Sequence, residues 1–296
     1  MHASEFTHPE DAAALRQMES IPGFSLVVKK IMSIGYESLQ YGINMASNIR
    51  LSETQLPEFY RYLPPICKKL DIPVPEFYLK MDPEPNAWTS GDTRIWITMT
   101  SSLVDLLTEE ELISVLAHEC GHIKCRHVLY HTVGQWITNG IANLGFLGTL
   151  AEPVRFALLY WYRKSELSAD RAAAIVTSPE MVANVQARLA GGPAEMTKNI
   201  KLEEWIKQAD RYDEIKNDGM WNKTLQTVAI AAQTHPFSAV RVREILKWGA
   251  SDQYRNLVNE LKQLEERDKN AKHCPQCGVV VDPNWKFCQK CGFNFG

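Results

Sequence analysis

His118, Glu119 and His122 stand in the run Leu116-Ala117-His118-Glu119-Cys120-Gly121-His122, two imidazoles four residues apart with a carboxylate directly after the first. On a helix each residue advances about 100°, so the two rings share a face and can grip one Zn²⁺. Glu119 then carries its carboxylate to where a metal-activated water would lie, the place of a general base. The implied chemistry is metal-assisted hydrolysis. The bland alternative is a surface helix with two incidental His.

A hydrolytic zinc takes a third protein ligand and keeps its fourth position open. In Arg163-Lys164-Ser165-Glu166-Leu167-Ser168-Ala169-Asp170, Glu166 and Asp170 are i, i+4 neighbours on one helix face. One carboxylate can bind the metal. The other can accept the second ring N–H of a ligating His and so fix its tautomer. Taken alone, a charged face with ion pairs to Arg163 and Arg171 explains the same spacing equally well. His127 and His131 turn away from the ligand face if the helix runs on, and read as packing or outer residues. His2 and His8 lie in a polar N-terminal segment and read as solvated.

The element that must position the imidazoles is a helix from Thr108. Thr108 with Glu111 three residues on forms a capping box, and Glu109 and Glu110 add acidic charge to the first turn. Leu112, Val115, Leu116 and Ile123 recur at helical spacing, and no Pro interrupts Thr108 to Val133. Cys120 falls between the imidazoles at the wrong angle for the same metal and reads as packing.

These elements resemble, in order, those of the HtpX-like and CAAX-prenyl-protease family of zinc metallopeptidases, of gluzincin type. Ile95-Trp96-Ile97-Thr98, then Leu103 to Leu107, then Glu110 to Lys124 are similar to its strand, short helix and active-site helix. Glu166-Leu167-Ser168-Ala169-Asp170 resembles its E-x-x-A-D element. Thr234-His235-Pro236-Phe237 with Arg241 resembles its T-H-P…R element, and Asn86 to Gly91 its N-A-x-x-x-G strand.

The resemblance implies a zinc endopeptidase acting on protein or peptide substrates. It assigns His118, His122 and Glu166 as ligands, Glu119 as general base and acid, and Asp170 as the carboxylate behind a ligand. It makes His235 a donor to the oxyanion. His235 could instead occupy the open metal position and hold the enzyme latent, or be a buried His before a Pro turn. Arg241 would anchor that segment on a carboxylate, Asp170 being one partner within reach. Asn86, Ala87, Trp88 and Thr89 would form an edge strand that holds an extended peptide by main-chain hydrogen bonds. An ordinary hairpin turning at Gly91-Asp92 is compatible with that role.

At the other end of the chain, Cys274-Pro275-Gln276-Cys277-Gly278 and Cys288-Gln289-Lys290-Cys291-Gly292 are matched Cys-x-x-Cys knuckles. Four thiolates close a coordination sphere, so this zinc is structural and the module is a zinc ribbon. So short a module cannot build a sufficient core, and the metal supplies its folding energy. Val279 to Val281 and Trp285 to Phe287 read as its strands. Few basic residues lie there, which makes nucleic acid an unlikely partner and protein docking the better one.

The 296 residues, 45% hydrophobic, suit one main core with a small appendage. A net charge of −3 gives no electrostatic case for nucleic acid. Cys67, Cys120 and Cys125 are left over from the seven Cys, an odd set that reads as reduced thiols in a cytoplasmic protein. Met1 to Asp11 is polar and reads as no secretory signal. Val128 to Ala151 carries no Asp, Glu, Lys or Arg but is broken by Gly134, Gly140, Gly145 and Gly148. It reads as buried or surface-lying helices, with peripheral membrane contact as the alternative.

The expected fold is α+β, predominantly α-helical and zincin-like, with a small antiparallel sheet and the ribbon. The expected divisions are an N-terminal helical segment at 1–50, a peptidase domain at 51–259, a charged linker at 260–272 and the ribbon at 273–296. Alternatives in function are a membrane-associated quality-control protease and a non-catalytic zinc-binding interaction protein.

Overall fold

The computed structural model describes residues 1–32, 35–138, 147–217, 237–282 and 284–295. They form two compact units, Met1–Gly249 and Ala250–Gly296.

In the first unit three N-terminal helices, α1 (Pro9–Glu19), α2 (Phe24–Met32) and α3 (Tyr36–Ser47), precede strand β1 (Ile49–Leu51). Helices α4 (Pro57–Tyr60) and α5 (Leu63–Leu70) follow. The chain breaks between them at Arg61-Tyr62, and Pro64 and Pro65 sit in the first turn of α5, where a missing N–H costs nothing. Strands β2 (Glu76–Lys80), β3 (Ala87–Ser90) and β4 (Trp96–Thr100) complete a sheet of order β1-β2-β4-β3.

This sheet is mixed, not antiparallel throughout as its short consecutive strands suggest. β2 and β4 pair in parallel, with Phe77 opposite Ile97, because β4 enters between β2 and β3. β3 then folds back antiparallel on β4 as the sheet edge, Thr89 opposite Ile97. Gly91 makes the return possible. Its φ is +115°, and a Cβ there would stand 1.9 Å from the Arg94 carbonyl oxygen. The carboxylate of Glu37 on α3 clasps this turn, accepting from the N–H groups of Asp92 and Arg94 and from the Thr93 hydroxyl.

The remaining helices of this unit are α6 (Ser101–Leu106), α7 (Glu109–Lys124), α8 (Val128–Thr138), α9 (Leu147–Val176), α10 (Pro179–Gly191), α11 (Ala194–Thr197), α12 (Leu202–Asn217) and α13 (Ser238–Gly249). Both halves of the Thr108–Glu111 capping box are formed at the start of α7. Glu111 also accepts from Arg188 of α10 at 2.9 Å. Helix α9 is the axis of the unit, with α1, α7, α8, α10 and α13 packed on it. Ala14, Met18, Phe24, Val27, Val133, Leu158 and Trp161 fill the space between α1, α2, α8 and α9. His8 is not merely solvated: its Nδ1 caps α1, accepting from the Glu10 N–H. Among the described residues no helix is long and apolar enough to cross a membrane. Residues 139–146 of the apolar stretch at 128–151 lie outside the described residues.

The second unit holds α14 (Asp252–Asn270) and the two knuckles. Each knuckle closes on itself: Cys274 N–H donates to Val279 O and Cys288 N–H to Phe293 O. The strand-like segments therefore bridge within their own knuckle, His273 with Val280 and Phe287 with Asn294. Gly278 and Gly292 take the left-handed conformation that turns the chain. Val281, Trp285, Phe293 and Phe295 pack around the cysteines.

Candidate metal centre and cleft

Helix α7 carries His118 and His122 on one face, and α9 lies against that face. Gly121 sets how close the two helices come. A Cβ at this position would stand 2.7 Å from Ala172 Cβ and 3.0 Å from Ala169 Cα. That approach delivers Glu166 of α9 onto the imidazole pair. Gly121→Val therefore forces the helices apart. It should destabilise the protein by about 1–3 kcal/mol and weaken metal retention, read by urea unfolding and by metal content after dialysis.

His118 Nε2 and His122 Nε2 lie 3.1 Å apart. Glu166 Oε2 is 3.3 Å from the first and Oε1 3.4 Å from the second. A tetrahedral zinc with bonds of 2.0–2.1 Å has ligand–ligand edges of about 3.3 Å. The donor set and its spacing thus fit zinc. All three side chains are buried.

Each ring has an outer partner. His118 Nδ1 stands 3.0 Å from Asp170 Oδ1, so that nitrogen carries the proton and Nε2 turns a lone pair to the cage. Arg241 of α13 donates to both Asp170 oxygens, at 2.6 and 2.8 Å, and reaches Glu166 Oε2 at 3.0 Å. Burial would raise Asp170, but Arg241 and the hydrogen bond from His118 hold it at about 2. Burial would lower His118, yet Asp170 and Glu166 raise it to about 9. Burial and the neighbouring His118 lower His122 to about 4, so the cage favours a single positive charge, which a proton on His118 or a metal cation satisfies.

Thr89 Oγ1 of β3 donates to Glu119 Oε2 at 2.6 Å. A cavity of about 660 Å³ runs past Ala87 at the start of β3, Val115, His118, Glu119, Val182 and Leu189. Asn86 and Ala87 border it, and Trp88 lies half-buried under Lys80. Sequence order thus hides one contact: a residue read as holding substrate touches the candidate base. His235, with Thr234 and Pro236, lies outside the described residues.

In the second unit Cys274 Sγ is 3.6 Å from Cys291 Sγ, and Cys277 Sγ is 3.6 Å from Cys288 Sγ. Zn–S bonds of about 2.3 Å give edges of about 3.8 Å, so four thiolates fit one zinc. Cys67, Cys120 and Cys125 are free thiols, the first two buried against each other.

Two imidazoles and a carboxylate at zinc spacing, a carboxylate poised beside them and a strand edge along the cleft define a zinc metallopeptidase. The chain belongs to peptidase family M48, whose family model matches residues 57–249, and a zinc-ribbon domain matches residues 273–295. It is 32% identical to the "Plastoglobule-localized metallopeptidase 48, chloroplastic" of Arabidopsis thaliana over 87% of this chain and 76% of that one. A "Protease HtpX homolog" of Pelotomaculum thermopropionicum is 35% identical over 37% of this chain, which spans 40% of that relative. The crystal structure of S. mikatae Ste24p aligns with a TM-score of 0.44 at 14% identity, over 79% of this chain and 60% of that one.

Proposed function

We propose that the chain is an endopeptidase with one catalytic zinc, held by His118, His122 and Glu166, and one structural zinc in the ribbon. The observation that carries this reading is the pair of Nε2 atoms 3.1 Å apart with one Glu166 oxygen 3.3 Å from the first and the other 3.4 Å from the second, next in sequence to Glu119. Bound there, zinc supplies Lewis acidity toward the scissile carbonyl and makes water acidic near neutral pH. Glu119 takes the proton from the attacking water and delivers it to the leaving amine. The Thr89 hydroxyl occupies one Glu119 oxygen and leaves the other for that transfer. Asp170 keeps the His118 proton on Nδ1, and Arg241 keeps Asp170 ionised and in place.

The edge of β3 at Asn86 to Thr89 takes the peptide as an added strand. Leu103, Val115, Val182, Val185 and Leu189 line the cleft and favour an apolar side chain next to the scissile bond. His235 is assigned as donor to the oxyanion. His235→Ala should lower kcat by about 10²-fold; a rise in activity would show instead that His235 blocks the metal.

The deciding measurement is hydrolysis of an unfolded protein by the full chain, abolished by a chelator and restored by zinc, with metal analysis giving two zinc per chain. No hydrolysis by the zinc-loaded chain would leave only the interaction-protein reading. The cytoplasmic assignment, with peripheral membrane contact through 128–151, is tested by flotation with liposomes. A chain that stays at the bottom of the gradient has no such contact, and the membrane quality-control alternative loses its basis. The ribbon is proposed as a protein-docking module.

A further inference from the structure

The two imidazoles of the cage have different supports. His118 meets a carboxylate directly. Behind His122 stands another imidazole: His127 Nδ1 lies 3.0 Å from His122 Nδ1, and His127 Nε2 lies 3.0 Å from Asp11 Oδ2. All three side chains are buried. With His122 Nε2 facing the cage, His122 Nδ1 carries its proton and donates to His127 Nδ1. His127 must then carry its own proton on Nε2 and donate to Asp11. Every donor finds an acceptor in one direction, with both rings neutral and Asp11 ionised.

The backbone is shaped to make this chain of bonds. Helix α7 stops at Lys124 and closes in a Schellman arrangement: Arg126 N–H donates to Ile123 O, and His127 N–H to His122 O at 2.9 Å. Arg126 holds the left-handed position, φ +61°, usually filled by Gly. The turn brings His127 back over His122 although the two are five residues apart. At the far end Asp11 is fixed by two further donors, Trp161 Nε1 at 2.9 Å and Ser168 Oγ at 2.6 Å. Burial would raise Asp11, but hydrogen bonds from His127, Ser168 and Trp161 hold it below the usual carboxylate range. Trp161 and His131 pack against the His127 ring.

We propose that Asp11 and His127 are positioning residues for the catalytic zinc: the N-terminal helix α1 reaches the metal centre through an imidazole relay that sets the tautomer, orientation and basicity of His122. This rests on His122 being a zinc ligand, as proposed above. Asp11 lies outside residues 57–249, the part that matches the family. The catalytic unit therefore includes α1 chemically, and not only as a packed helix.

The test is metal affinity of the full chain. Chelator competition reads zinc at the histidine site. Cobalt(II) loading separates that site, through its d–d bands, from the thiolate charge-transfer band of the ribbon. Asp11→Asn keeps the shape and removes the charge. It should weaken zinc about 10-fold, within the 10- to 100-fold typical of such outer partners, and shift the cobalt d–d bands while the ribbon band stays unchanged. His127→Gln should weaken zinc at least as much. Because Asp11 acts through His127, the double variant should be no weaker than His127→Gln alone. Ser168→Ala loosens Asp11 without removing its charge; it should act in the same direction at smaller size, and serves where Asp11→Asn fails to fold. Glu10→Gln, one residue away and paired with Lys164, should leave affinity and spectrum unchanged.

Zinc affinity and cobalt bands of folded Asp11→Asn matching wild type would overturn the relay. So would an equal drop from Asp11→Asn in the His127→Gln background. If the wild type itself holds no metal outside the ribbon, the zinc-site reading fails first and the relay falls with it. Wild-type metal binding with unaffected variants removes the relay alone.

Discussion

Glu119→Gln should lose peptide hydrolysis by about 10²–10⁴-fold while still holding zinc, the size expected for a lost general acid–base. The amide is nearly isosteric with the carboxylate, and its oxygen still accepts from the Thr89 hydroxyl that now bonds Oε2. None of the three candidate ligands changes. What disappears is the ability to take a proton from water and return it to the amine. Turnover of an internally quenched peptide, measured beside zinc content, separates the two effects. Equal rates for variant and wild type would falsify the role of Glu119, and joint loss of zinc and activity would place it in holding the metal.

Arg241→Ala should be the most destabilising single change near the site, by about 3–5 kcal/mol in zinc-free protein. The guanidinium is buried and touches both Asp170 and Glu166. Removing it leaves two buried carboxylates without the cation they share. Zinc neutralises part of that charge, so saturating metal should recover part of the lost stability by binding only the folded state. Urea midpoints with and without zinc give both numbers. A variant as stable as wild type without metal would mean that the carboxylates are protonated or solvated there, against the hold on Asp170 at about 2.

Much of this centre was legible because its signals are local or helical. The capping box at Thr108 and the i, i+4 imidazoles need nothing beyond 3.6-residue periodicity, and Glu166 with Asp170 share a face for the same reason. The choice between those two carboxylates was not a matter of spacing. It came from the family resemblance, and the structure sets Glu166 against both Nε2 atoms and Asp170 behind His118. Other features depend on contacts that spacing does not encode. Strand pairing is non-local, so the parallel β2–β4 register was missed. His127 turns away from the ligand face only on a helix that runs on, and the stop at Lys124 carries no local signal because Arg126 holds the left-handed cap where Gly is the usual mark. Asp11, in a polar N-terminal run, bore no mark of burial beside Trp161.

The hydroxyl of Thr89 joins two tasks that a cleft could have kept apart. It sits on the strand whose free edge would grip the peptide, and its hydrogen rests on the group proposed to move the proton. Seating a chain along that edge tugs the same backbone from which the hydroxyl hangs. A well-aligned guest and a poorly aligned one would then meet bases of unequal strength, so that selectivity enters turnover as well as grip.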